Sequence, residues 1–151
     1  MLRDALLHFA HFTCIFVLAS LLAGEALLLR PSLSRERAKQ LQLVDRWYGI
    51  FAALVIVSGI SLVFFGEKGA SYYAHSAVFW TKMAIFVVIA LISIFPTVAY
   101  LRWDGRSQAN GSLLLDASEY RRLRRFLWVQ IALFILLPLF AAMMANGISS
   151  W

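Results

Sequence analysis

Imidazole, thioether and ammonium groups are rare inside apolar sequence, and in this chain they gather at the borders of apolar runs. His8 and His11 open one run, His75 stands just before another, Lys82 follows about two turns later, and Met143 and Met144 close the last. Imidazole and thioether ligate haem iron and copper, and helical bundles build such sites from inward-facing side chains. His8, His11 and His75 are therefore candidate cofactor ligands. With Met143 and Met144 they also make a soft set suited to Cu(I), and all of them are expected to meet near one end of a bundle. Lys82 shares a helix face with His75, Phe79 and Phe86 and is the candidate catalytic group. Each residue also has a plain alternative. The histidines suit a membrane interface, the methionines suit apolar filling, and Lys82 is long enough to snorkel to the headgroups. Cys14 reads as a small buried hydrophobe.

A second polar set lies at the opposite borders: Glu25 and Arg30, Asp45 and Arg46, Arg102 and Asp104. The pairing of signs predicts an ion-pair belt that fixes helix register, and a proton path is the alternative. Asp45 is expected at a helix start, where the macrodipole favours it. On a helix with 3.6 residues per turn, His8, His11, Ile15, Leu18, Leu22 and Glu25 fall within an arc of about 100°. One face of the first helix is thus polar at both ends, and it should point into a bundle. A charged, unpartnered group in hydrocarbon costs roughly 2.5–3.5 kcal/mol on insertion scales.

The elements that position these groups are membrane spans. Hydrophobic residues make up 62% of the 151, charged residues 15%, and the mean hydropathy is +0.76, which excludes a soluble domain of this size. Four apolar segments each approach the span length of about 20 residues, Ala5–Leu29, Tyr48–Phe65, Ala77–Leu101 and Phe126–Asn146. They predict helices over 5–29, 46–65, 77–101 and 122–146 and a single all-α domain, 1–151, folded as an integral-membrane four-helix up-down bundle. The first run is too long for a signal-peptide core and reads as a retained helix. Leu33, Leu41 and Leu43 suggest a short interfacial helix between the first two spans. The net charge of +6 is concentrated beside the apolar runs, so it marks orientation and not nucleic acid. One cysteine excludes an internal disulfide. Small residues in the second helix, Gly49, Ala53, Ser58, Gly59 and Ser61, allow close backbone approach. A homo-oligomer is compatible with this pattern.

Several stretches resemble an uncharacterised family of bacterial four-helix inner-membrane proteins known only as a domain of unknown function. They are HFAH and AGEALLLRP in the first helix, VDRWYG opening the second, SGISLVFFGEKGASYYAHSAVFWTKMAIF, FPTVAYLRW, and YRRLRR before the fourth. The resemblance covers nearly the whole chain and implies a multi-pass protein of the bacterial inner membrane. More distantly the chain is similar to HemJ, the haem-dependent protoporphyrinogen oxidase, and to CopD-type copper-resistance proteins. The HemJ resemblance implies haem b on His11 or His8 and an essential Lys82. Trp80 stands where HemJ has a histidine two residues before that lysine.

These readings lead to a haem b or metal-binding membrane protein, a HemJ-like oxidoreductase in its enzymatic form. It would pass electrons between a site among the first, third and fourth helices and a quinone or another membrane redox protein. Copper handling and a cofactor-free accessory subunit are the alternatives. His11 and Lys82 are expected to face inward from neighbouring first and third helices. The basic excess in the first and third loops predicts that both ends of the chain lie outside the cytoplasm. A reporter fused after Trp151 should be active only in its periplasmic form, and activity of a cytoplasmic reporter at that position would reverse the orientation.

Overall fold

The computed structural model describes residues 1–67, 69–110 and 112–146, with side chains for all of these except 104–110, 144 and 145. In chain order the elements are α1 (Leu2–Leu28), β1 (Ser32–Ser34), α2 (Arg35–Phe65), α3 (Gly69–Ala74), α4 (Ala77–Asn110), β2 (Ser112–Leu114) and α5 (Ala117–Ala145). Helices α1, α2, α4 and α5 contain the four segments long and apolar enough to cross a membrane.

Local chemistry sets the helix starts earlier than hydropathy suggests. The Ser34 hydroxyl accepts the Arg37 N–H at 3.3 Å, so α2 begins at Arg35 and not near 46. The residues expected to form a separate interfacial helix are the first turns of α2. Asp116 accepts the Ser118 N–H at 3.1 Å, which starts α5 at Ala117 instead of 122. At 1.5 Å per residue the 31-residue α2 is about 46 Å long, well beyond a hydrocarbon core of about 30 Å. One end of the bundle therefore projects from the bilayer.

That projecting end, the hairpin end, is closed by a two-stranded antiparallel sheet with Leu33 opposite Leu113. The strand alternation turns Leu33 and Leu113 inward and the flanking residues outward. They pack in a core that includes Leu41, Trp103 and Leu123, while the Trp103 indole N–H donates to Glu119 Oε1 at 3.1 Å. Hydropathy gives no sign of these strands because each has three residues.

In the bundle, α1 packs on α2 and α5, and α4 packs on α5 and α2. Consecutive spans are thus neighbours, and α1 faces α4 across the diagonal. The expectation that the first and third spans adjoin is corrected here. Short loops join consecutive antiparallel helices side by side, which puts alternate helices at opposite corners. Large apolar side chains such as Phe9, Phe16, Phe64, Leu91 and Ile135 cover the outside, as lipid contact requires.

Candidate functional site

Two polar clusters lie on the inward face of α1, one toward each end. The first centres on His11, which is only 7% exposed. Its Nδ1 lies 2.9 Å from the Ser58 hydroxyl of α2, and that hydroxyl lies 2.7 Å from the Leu54 carbonyl. A hydroxyl has one hydrogen, and the carbonyl can only accept. The hydroxyl also lies 3.1 Å from the Val55 carbonyl, and with its one hydrogen directed to either carbonyl it accepts from His11, an arrangement in which the imidazole proton is on Nδ1 and the Nε2 lone pair is free. Gly59 makes the close approach possible: a Cβ there would stand 3.3 Å from His11 Cε1. Lys82 enters from α4 and is near enough to His11 to interact with its charge, as is His8. Lys82 thus comes within electrostatic range of His11 even though their helices are diagonal. Among the described residues Lys82 makes no hydrogen bond or ion pair.

The remaining candidates at this end have separate partners. His8 is half-buried and its Nδ1 donates to Asp4, 3.0 Å from the carbonyl and 3.4 Å from Oδ2. Asp4 also accepts the Glu67 N–H at 3.1 Å, tying α1 to the segment after α2. His75 is exposed and donates to the Ser71 carbonyl of the preceding turn at 2.8 Å. Met143 is half-buried, whereas the side chains of Met144 and Asp104 lie outside the described residues. Among the described residues no three His, Cys, Asp or Glu side chains come together as a metal-holding group. Ser58 and Asp4 were missed as partners, although Ser58 was already noted as a small residue on α2.

The second cluster surrounds Glu25 and Asp45, which are 2% and 8% exposed. The two carboxyls interact with each other, and the Tyr48 and Tyr100 hydroxyls lie within electrostatic range of both. Thr97 Oγ1 lies 2.8 Å from Asp45 Oδ1 and 3.0 Å from the Ser93 carbonyl. Its single hydrogen can serve either acceptor, so Thr97 suits Asp45 as a hydrogen-bond acceptor or as a donor. Tyr48 donates to Gln130 Oε1 at 3.4 Å. Glu25 Oε1, Tyr100 OH and Gln130 Nε2 are buried and have no hydrogen-bond partner among the described residues. Tyr48, Tyr100, Thr97 and Gln130 were not foreseen. Their only trace in the sequence is polarity at inward positions of otherwise apolar helices.

The expected ion-pair belt is corrected. Arg30 and Arg46 are exposed, and no ion pair joins either to Glu25 or Asp45 among the described residues. Asp45 sits in the third turn of α2, away from the helix start. The cluster offers oxygen donors with two acids and, among the described residues, no ion-paired cation, an arrangement that protons or a hard cation can neutralise. Fourteen residues, about 21 Å of helix, separate Glu25 from His11. Leu18 and Leu22 of α1, Val55 of α2, Ile89 of α4, and Phe134 and Leu137 of α5 fill the core between them.

This geometry defines a four-span helical membrane protein with polar sites inside the bundle at both ends. The family described as "Predicted membrane protein (DUF2214)" matches residues 3–149, and the chain belongs to it. No curated protein and no solved structure matches the chain.

Two outcomes follow from the geometry. In the neutral protein, ¹⁵N spectra of His11 should show the Nδ1–H tautomer, and Ser58→Ala should mix the two tautomers; an Nε2–H ring in the parent would overturn the assignment. Glu25→Gln should raise thermal stability in detergent by about 1–3 kcal/mol, since an uncharged amide removes the repulsion between two buried carboxyls. An equal or larger loss of stability would mean that the acid is held by a partner.

Proposed function

We propose that the protein is a small redox protein of the bacterial inner membrane that holds haem b at the His11 end of the bundle. The observation that carries this reading is the buried imidazole of His11, its Nδ1 held 2.9 Å from the Ser58 hydroxyl, with Lys82, which makes no hydrogen bond or ion pair among the described residues, within electrostatic range. Ligating histidines commonly donate the second ring nitrogen to a neighbouring acceptor, which fixes tautomer and orientation. The Ser58 hydroxyl can play that part for His11 Nδ1 and leave Nε2 for the group. Lys82 suits an acidic substituent of the same group, because a compact ammonium pairs with a carboxylate at membrane depth. Haem would supply one-electron chemistry, with a quinone or a membrane redox protein as the exchange partner.

Copper fits less well, because a soft site needs several converging ligands, and His75 and His8 are each turned to a neighbour of their own. With the basic loops on the cytoplasmic side, the His11 site belongs to the periplasmic half.

Detergent-purified protein should show a Soret band with reduced α and β bands. His11→Ala should remove the bands and His75→Ala should leave them. Lys82→Met and Lys82→Arg should each lower cofactor content per folded protein, since a planar guanidinium is not a substitute for an ammonium at a confined site. A colourless parent from haem-supplemented cells, or full haem content in His11→Ala, would overturn the proposal.

A further inference from the structure

At the hairpin end, α1 and α5 leave a cavity of about 200 Å³ between them, on the flank of the bundle and away from both polar clusters' hydrogen bonds. Its polar side is formed by Arg30, just beyond α1, and by Arg124 and Tyr120 in the first turns of α5. Leu27, Leu127 and Trp128 form its apolar side. The backbone sets this arrangement, because the Leu115 N–H donates to the Pro31 carbonyl at 3.0 Å and draws the end of α1 to the start of α5. Arg124 Nη1 donates to the Tyr120 hydroxyl at 3.3 Å, which orients the guanidinium. Neither arginine has a carboxylate partner among the described residues. Arg30, whose sequence position suggested a bond to Glu25, is left at the surface.

We infer that this cavity binds the headgroup of an anionic phospholipid, with the phosphodiester between Arg30 and Arg124. Two guanidiniums beside a tyrosine hydroxyl match phosphate oxygens, for which Arg is the preferred partner. The apolar side identifies the source of the phosphate. Leu27 and Trp128 are 72% and 55% exposed, so the cavity opens onto the lipid-facing surface, where an acyl chain can follow the headgroup out. Its level also suits a headgroup, since Trp128 is an interfacial residue type and α1 ends beside it. A basic pocket between spans at such a level is how anionic lipids are held in preference to zwitterionic ones. A free phosphate ion would use the arginines and gain nothing from Leu27 or Trp128.

The test is native mass spectrometry of the full chain in detergent, titrated with dioleoyl-phosphatidylglycerol or dioleoyl-phosphatidylcholine. The parent should bind the anionic lipid about tenfold more tightly, which corresponds to two cationic contacts of modest strength. Arg30→Gln and Arg124→Gln should each lower that preference several-fold, and Arg3→Gln, at the far end of the bundle, should leave it intact. Equal affinity of the parent for both lipids would overturn the inference without any variant. So would retention of the preference in the Arg30→Gln, Arg124→Gln double variant. Displacement of the lipid by inorganic phosphate at equal concentration would show an anion site that does not read the lipid.

Discussion

Hydrocarbon offers no hydrogen-bond partner, and the inward turn of the polar face of α1 answers that constraint. His11 and Glu25 lie near opposite ends of one helical stripe, so satisfying both by rotation of a single helix fixes which way α1 faces. The neighbours then follow. Ser58 must stand opposite His11, and Asp45 comes to the level of Glu25, which aligns α1 and α2 along their full antiparallel contact. Thr97 of α4 and Gln130 of α5 complete the ring by meeting groups on α2. Each helix of the bundle thus contributes at least one polar side chain to the hairpin-end cluster, α2 and α4 two each.

The cap makes that cluster affordable in an otherwise apolar interior. Because α2 and α4 outrun the bilayer, water would reach the end of the bundle unless something covered it. Leu33, Trp103, Leu113 and Leu123 do so, with exposures of 3% or less. Arg30 and Arg46 stay on the outer surface, free to meet solvent or headgroups. The two carboxyls are left inside with hydroxyl and amide neighbours in place of guanidiniums. Bringing the arginines inside would require desolvating two more charges, a cost that attraction repays only with excellent geometry.

An apolar layer of about 21 Å divides the two polar ends. With Leu18 and Leu22 almost fully buried in it, the layer insulates one end from the other electrostatically, since side chains there offer neither charge nor hydrogen bond. The two ends can therefore serve separate tasks. The His11 end has a buried imidazole with a lysine in electrostatic range, and the hairpin end has acids inside and arginines outside. A bundle built this way keeps its middle as seal and scaffold.

The sequence by itself determined the number of spans, because a bilayer demands about twenty apolar residues per crossing and only four segments supply them. It also determined that His11 and Glu25 face inward, because helical periodicity puts them on one stripe and lipid will not accept them. What it did not contain was the identity of their partners. Periodicity states which face of a helix is buried and is silent on which helix covers it. His11 shares a hydrogen bond with Ser58, 47 positions away, and the approach of Lys82 from across the diagonal depends on how all four helices are arranged. The missing ion-pair belt has the same cause: Arg30 is five residues from Glu25, more than a full turn, and tertiary packing took the acid in and left the base at the lipid surface. The short strands were equally hidden, since three-residue elements have no periodicity to read. They exist only because folding brings Leu33 and Leu113 to the same end of the bundle.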